Sequence, residues 1–232
     1  MEIIWEADAG PDAQAAVDRD HDLLGAVHDG TRPGLLRLWV NRQALVVTRR
    51  DARAPRFETI ARTFAAEGWP IAVRQTGGGA VTHGDDSLNV SLIRSEPRKM
   101  SFCPDRHYRA LADCVTPALA GLGLTAALAP VAGAYCPGDH DLHVGGQKIA
   151  GLAQRVRTGK AADGVAKRTV LSHLTLLVSS DPAAMTARIN AFYEGIGDPR
   201  SYSDTVSTSL SALSGQALTP AMIANRISAA QT

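Results

Sequence analysis

Arg74-Gln75-Thr76-Gly77-Gly78-Gly79-Ala80-Val81-Thr82-His83-Gly84-Asp85-Asp86-Ser87-Leu88-Asn89-Val90-Ser91-Leu92-Ile93 is the stretch on which the reading of this chain turns. Three consecutive glycines, Gly77, Gly78 and Gly79, follow the extended run Ile71-Ala72-Val73-Arg74 and precede Ala80-Val81. Glycines gather where backbone comes close to a ligand, or where backbone angles are closed to other residues. Amide N–H groups in such a loop can cradle an anion, and Arg74 adds a planar cation beside them. A glycine-rich hairpin turn would use the same residues. The phosphate motifs Gly-x-x-x-x-Gly-Lys-Ser/Thr and Gly-x-Gly-x-x-Gly both fail to fit. Downstream, Leu88 to Ile93 alternates, so Asn89 and Ser91 share a polar face opposite Leu88, Val90 and Leu92.

Around this stretch the pattern mixes helices and strands. Helical spacing is predicted for residues 11–28, 55–68, 104–123 and 182–196, with a last helix starting at Thr219-Pro220. Strands are predicted at 35–40, 44–48, 71–74, 80–82, 88–93 and 169–178. His143-Val144, Gly145-Gly146 and the run from Gln147 to Val156 read as a hairpin with a two-residue glycine turn. Alternation there puts Lys148, Ala150 and Leu152 on one face and Ile149, Gly151 and Ala153 on the other. Residues 158–168 read as a mobile loop, and residues 201–214 as a polar loop without a motif. A strand lysine is ordinarily solvated, and a strand histidine such as His173 is ordinarily a structural residue.

The bulk numbers exclude several classes. The 232 residues are 45% hydrophobic and 20% charged, with a net charge of +1, which argues against general nucleic-acid binding. Three cysteines, Cys103, Cys114 and Cys136, lack zinc or disulfide spacing. The N-terminus has no basic, apolar leader and no run is long enough for a membrane span, so a cytoplasmic protein is expected. One domain over residues 1–232 is expected, because no composition break marks a second.

Taken together, Arg74, the Gly77-Gly78-Gly79-Ala80-Val81 run, His83 and Leu88-Asn89 resemble the lipoate–protein ligase family. A second segment strengthens the likeness: Asp141-Leu142, a glycine turn, then Lys148-Ile149-Ala150-Gly151-Leu152-Ala153-Gln154. Val170 to Leu177, with His173, resembles a further family strand, although Leu174 stands where the family usually has glycine. The resemblance implies an α+β fold, with a mixed, mostly antiparallel central sheet flanked by helices, as in biotin and lipoate ligases. It also implies that Lys148 contacts the acyl carboxylate and the phosphate of an acyl-adenylate. Arg74, Gly77 to Val81, His83, Ala150, Gly151 and His173 would bind the adenylate and acyl chain. Asn89 and Asp141 would lie near phosphate and Mg2+.

On that reading the chain is a ligase that uses ATP and Mg2+ to activate lipoate or octanoate. It then acylates a lysine of a carrier, either a glycine-cleavage H-like protein or a dehydrogenase E2 lipoyl domain. The accessory C-terminal domain of two-domain ligases is missing from the pattern, so a separate partner protein is an open expectation. The segment Ala134-Tyr135-Cys136-Pro137-Gly138-Asp139-His140-Asp141-Leu142 instead resembles the octanoyl and lipoyl amidotransferases of the same family. These use a cysteine in this loop as nucleophile, forming a thioester without ATP. Lys148 and His140 are the expected activators of that thiol. Transferase relatives usually replace the third glycine, so the glycine loop favours the ligase and the cysteine loop the transferase. The ligase is the main expectation and the transferase the alternative. The Gly-Arg-Gly-Arg-type loop of a biotin ligase is absent, and a non-enzymatic lipoate-binding module is left open. Lys148→Ala is the expected discriminator, abolishing transfer while sparing the fold.

Overall fold

The computed structural model describes residues 1–231; Thr232, the last residue of the expected domain, lies outside them. Two sheets form the frame. Strands β1 (Glu2–Glu6), β2 (Leu35–Trp39), β6 (Ser87–Pro97), β7 (Ala126–Leu128), β8 (Leu142–Val144), β9 (Gln147–Lys160) and β10 (Ala166–Leu177) make the larger sheet, in the order β1-β2-β6-β10-β9-β8-β7. Strands β3 (Ala44–Thr48), β4 (Ile71–Arg74) and β5 (Val81–His83) make the smaller one, in the order β4-β3-β5. Among the described strands β1–β2 and β3–β4 pair in parallel, and the other strand pairs are antiparallel. The expected mixed, mostly antiparallel α+β architecture is therefore the one present.

Helices α1 (Ala13–Asp29), α2 (Phe57–Ala66), α3 (Pro104–Ala120), α4 (Pro182–Ile196), the short α5 (Leu210–Ser214) and α6 (Pro220–Ala229) flank the sheets. Their ends follow the local chemistry. Asp12 and Thr219 cap α1 and α6 by accepting from Ala15 N and Met222 N, and Gly30 closes α1 at φ 79°. One core cluster joins α3 and α6 to the inner face of β6, β9 and β10 through Leu111, Val115, Leu119, Ile223 and Ile227. A second joins the small sheet to α2 and α4 through Val46, Phe64, Ile189 and Phe192.

Two expectations are corrected, and two further segments gain a place that the sequence did not give them. The glycine stretch is no hairpin turn: β4 and β5 flank β3 on opposite sides and do not pair with each other. The loop thus crosses the end of β3 instead of reversing onto itself. Residues 158–168 are mostly strand, because β9 and β10 extend their ladder to Lys160 and Ala166. The N-terminal Glu-Ile-Ile-Trp-Glu run is a strand, recruited by pairing with β2 rather than by any strong local signal. The serine-rich segment is bound to β9: Lys148 N donates to Val206 O and Thr208 N to Lys148 O, both at 2.9 Å.

The hairpin of β8 and β9 turns as expected, with Gly145 and Gly146 at φ 58° and 84°. Its ladder then carries a bulge. Lys148 pairs with His143 but Ala150 with Leu142, so Ile149 is the extra residue. That insertion reverses the expected faces beside Lys148.

Candidate active site

Lys148 is fully buried, against the solvated reading of a strand lysine. Its Nζ donates to Tyr135 O at 2.6 Å and Cys136 O at 3.0 Å, and lies 2.8 Å from Asp141 Oδ1. Burial pushes the Asp141 carboxyl up, and the Lys148 ammonium opposes that. Because of the bulge, Lys148 Cε and Nζ stand 3.4 Å from where a Cβ on Gly151 would lie. Ala150, expected beside the ligand, belongs instead to the core cluster with Leu142 and Leu176.

Cys136 is buried, at φ 44°, and is the one non-glycine residue with positive φ among those described. A cysteine held in the left-handed region costs roughly 1–2 kcal/mol, and such strain persists where surrounding contacts over-determine it. Here Lys148 holds the carbonyls on both sides of the strained residue. Its Sγ accepts from Gly79 N at 2.9 Å and from Arg74 Nη2 at 3.6 Å. Arg74 Nη2 also donates to Gly77 O and Gly79 O, at 2.9 and 2.8 Å. The groups on the sulfur are therefore Gly79 and Arg74, and not the expected Lys148 and His140. His140 stacks on Tyr108 and lies 3.2 Å from Asp105.

The two loops that seemed to point to different chemistries are thus one contact. A Cβ at Gly78 would stand 2.7 Å from Cys136 Sγ and 2.9 Å from Arg74 Nη2, at φ 101°. One at Gly79 would meet Tyr193 Oη at 2.9 Å and Cys136 Cα at 3.3 Å, whereas one at Gly77 would meet nothing within 4 Å. Gly78 is demanded by the approach of Cys136 and Arg74, and Gly79 by that of Tyr193 and Cys136. We expect Gly78→Ala to lower thermal stability clearly, by about 2 kcal/mol from the overlap and the positive φ together. Gly77→Ala is expected to stay within about 0.5 kcal/mol of the parent. Paired denaturant melts of the two variants check this, and equal losses would refute it.

Ala80 and Val81 continue the loop into β5. Buried Ala80 donates its N–H to Tyr193 Oη at 2.6 Å, and Arg200 Nη1 donates to the same oxygen at 3.1 Å. Sequence reading missed Tyr193, which lies far along the chain on a helix whose stripe reads simply as core. Tyr193→Phe leaves a buried N–H unpaired and is expected to cost about 1–3 kcal/mol, measurable as a fall in the urea midpoint at unchanged slope.

Two clefts meet at Arg74 and His173. The first is walled by Val17, Trp39, Val46, Leu171 and His83, among others. The second is lined by Val81, Tyr135, Cys136, Gly151 and Thr175, among others. Beyond it a wider groove runs past Gly77, Gly78, Tyr108 and His140. His173 lies at the junction and His83 on the wall of the first cleft. Burial, then the nearby Arg74, pushes each down to about 3, so both rings are neutral at physiological pH. Asn41 Nδ2 lies 3.2 Å from His83 Nδ1, His83 Nε2 3.1 Å from Thr175 Oγ1, and Thr175 donates to Asn89 Oδ1 at 2.8 Å. His173 Nε2 pairs with Thr76 Oγ1 at 2.8 Å. The polar face of β6 is therefore internal wiring. Ser91 likewise donates to Asp20 Oδ2 at 2.6 Å and accepts from Trp39 Nε1 at 3.1 Å.

A buried cysteine with a left-handed backbone thus stands at a glycine loop, beside clefts lined by both sheets. The chain belongs to the lipoyl protein ligase A/B catalytic domain family, whose model matches residues 12–232. It is 39% identical over 184 residues to an octanoyl-GcvH:protein N-octanoyltransferase of Kyrpidia tusciae, covering 79% of this chain and 63% of that protein. A protein of the same name from Geobacillus kaustophilus is 32% identical over 219 residues, 91% of this chain and 74% of its own. A solved lipoate-protein ligase A bound with ATP superposes on 99% of this chain and 84% of its own. Its TM-score is 0.71 at 18% identity, which shows a shared fold. Among the described residues no helix is long and apolar enough to cross a membrane.

Proposed function

We propose that the chain is a cysteine-dependent amidotransferase that moves an octanoyl or lipoyl group between carrier-protein lysines through a Cys136 thioester. The observation that carries this reading is the seating of Cys136 Sγ on Gly79 N–H and Arg74 Nη2 inside the cleft. The names of the transferase relatives support it as well. In the first half-reaction sulfur attacks the acyl amide carbonyl; the C–S bond forms, the C–N bond breaks, and the thiol proton leaves on the released lysine amine. In the second, the acceptor amine attacks the thioester; the C–N bond forms, the C–S bond breaks, and an amine proton returns to sulfur. One amide replaces another, so no nucleotide is consumed. Gly79 N–H and Arg74 steady negative charge on sulfur as it attacks in the first half and as it leaves in the second. Neutral His83 and His173 keep the cleft compatible with an acyl chain, and Lys148 positions the cysteine loop.

The ATP-dependent ligase, the main expectation from the glycine loop, has weaker support. Gly78 and Gly79 are accounted for by Cys136 together with Arg74 and Tyr193, and the ligase likeness is one of fold. Asp141 does not fit a magnesium site. Its Oδ1 is ion-paired with Lys148 and its Oδ2 accepts from Val131 N at 3.3 Å. No group of three His, Cys, Asp or Glu among the described residues could hold a metal ion. No step in this mechanism passes through ATP or Mg2+.

The carrier we propose is a GcvH-like protein or an E2 lipoyl domain, in the cytoplasm, with the chain acting as one catalytic domain. Intact-mass spectrometry of an apo carrier tests the reading in two tubes. One holds an octanoylated donor carrier and no ATP; the other holds lipoate and Mg-ATP. Acyl gain in the first tube is expected. Gain in the second alone would make the chain a ligase.

A further inference from the structure

The transferase reading leaves one buried group beside the nucleophile without a task. Tyr135 is fully buried and lines the cleft that holds Cys136, Arg74 and Thr175. Its Oη has no hydrogen-bond partner in the protein. A buried hydroxyl without a partner costs free energy, so it persists where something else supplies the acceptor. The rest of the residue is fixed. Its carbonyl accepts from Lys148 Nζ at 2.6 Å, and that ammonium lies 4.6 Å from the ring centroid. Arg74 Nε, also buried in this cleft, is likewise unpartnered. Two residues that line the cavity beside Cys136 therefore each carry a buried donor without a hydrogen-bond partner in the protein.

We propose that Tyr135 is a further catalytic residue whose Oη–H donates to the acyl carbonyl oxygen as that oxygen gains negative charge during attack at Cys136. The proposal rests on the transferase reading. Attack at sulfur converts the carbonyl to a tetrahedral centre, and the electron pair of the C=O bond moves onto oxygen. It returns when the C–N or C–S bond breaks, so Tyr135 only donates a hydrogen bond and is unchanged at the end. The phenol suits that work. Burial, with Cys136 and Asp141 nearby, pushes its ionisation far up, so it stays a protonated donor at every working pH. A donor aimed at developing charge in a dry site is worth more than one aimed at the ground state.

Tyr135→Phe and Cys136→Ser, each in the full chain, test this in the ATP-free assay with octanoylated donor and apo acceptor carrier. Tyr135→Phe keeps the ring and removes an unpartnered hydroxyl, so a melting temperature unchanged or raised and an unchanged KM are expected, with kcat about 10²-fold lower. Single-turnover formation of the Cys136 thioester, followed by intact mass, is expected to slow by the same factor. With Cys136→Ser inactive, a Tyr135→Phe enzyme at full speed overturns the proposal alone. A lowered melting temperature also overturns it, because Oη would then have a structural partner. A Cys136→Ser enzyme at full speed brings down the transferase reading and this proposal with it.

Discussion

Cys136→Ser is expected to reduce ATP-free acyl transfer by about 10³-fold or more while leaving the fold in place. The hydroxyl is smaller and can still accept from Gly79 N–H, so the glycine loop keeps its partner. What is lost is nucleophilicity, since no histidine within hydrogen-bond reach of this position would take the serine proton. The hydrogen bonds on Cys136 Sγ come from Gly79 N and Arg74 Nη2, both donors. A site built only of donors serves a thiolate and leaves a serine without a base. Wild-type enzyme incubated with octanoylated donor is expected to gain one octanoyl group at Cys136, removable by hydroxylamine. Full transfer activity in Cys136→Ser would show that the sulfur is a bystander.

Lys148→Met is expected to have the largest effect on stability, a loss of about 3–5 kcal/mol, because it strands the buried Asp141 carboxylate. It also frees the carbonyls of Tyr135 and Cys136, so transfer should fall about 10²-fold even where the variant is folded. The simple discriminator of a lysine that can be removed without harm to the fold is thereby corrected: Lys148 is fully buried and holds three oxygens.

The pH dependence has a definite sign. Burial raises the Asp141 carboxyl above its ordinary value and Lys148 opposes this, so removing Lys148 raises it further. A carboxyl raised in the folded state favours folding below its unfolded value, and that contribution disappears as pH climbs through the folded one. The deficit of Lys148→Met relative to the parent should therefore be larger at pH 8 than at pH 5. Adding Asp141→Asn should recover much of it at pH 8. A pH-independent deficit in denaturant melts would contradict the ion-pair account.

Both predictions concern residues that local sequence could name but not place. The Gly77-Gly78-Gly79 run and the Gly145-Gly146 turn were legible because glycine clusters and turn signals are local chemistry, whereas the cysteine loop and Lys148 stood out only through the family resemblance. The periodic helices were legible because a 3.6-residue stripe is written in adjacent turns. Tyr193, Thr175, Thr76 and the segment at Val206–Thr208 left no such mark, since each acts on the site across many residues of chain. The same limit applies to Ala150, whose expected face was reversed by a single inserted residue at Ile149.

By itself, then, the sequence indicated the α+β class, most of the helices and strands, the family likeness and a small set of candidate site residues. Only the tertiary structure decided how they combine. It put β3 between the arms of the glycine loop, brought Gly79 N–H to Cys136 Sγ, and buried Lys148 against Asp141. The physical reason is that hydrogen bonds, close approach and burial depend on distance in space. Residues 79 and 136, fifty-seven positions apart along the chain, have no local signal that they will touch.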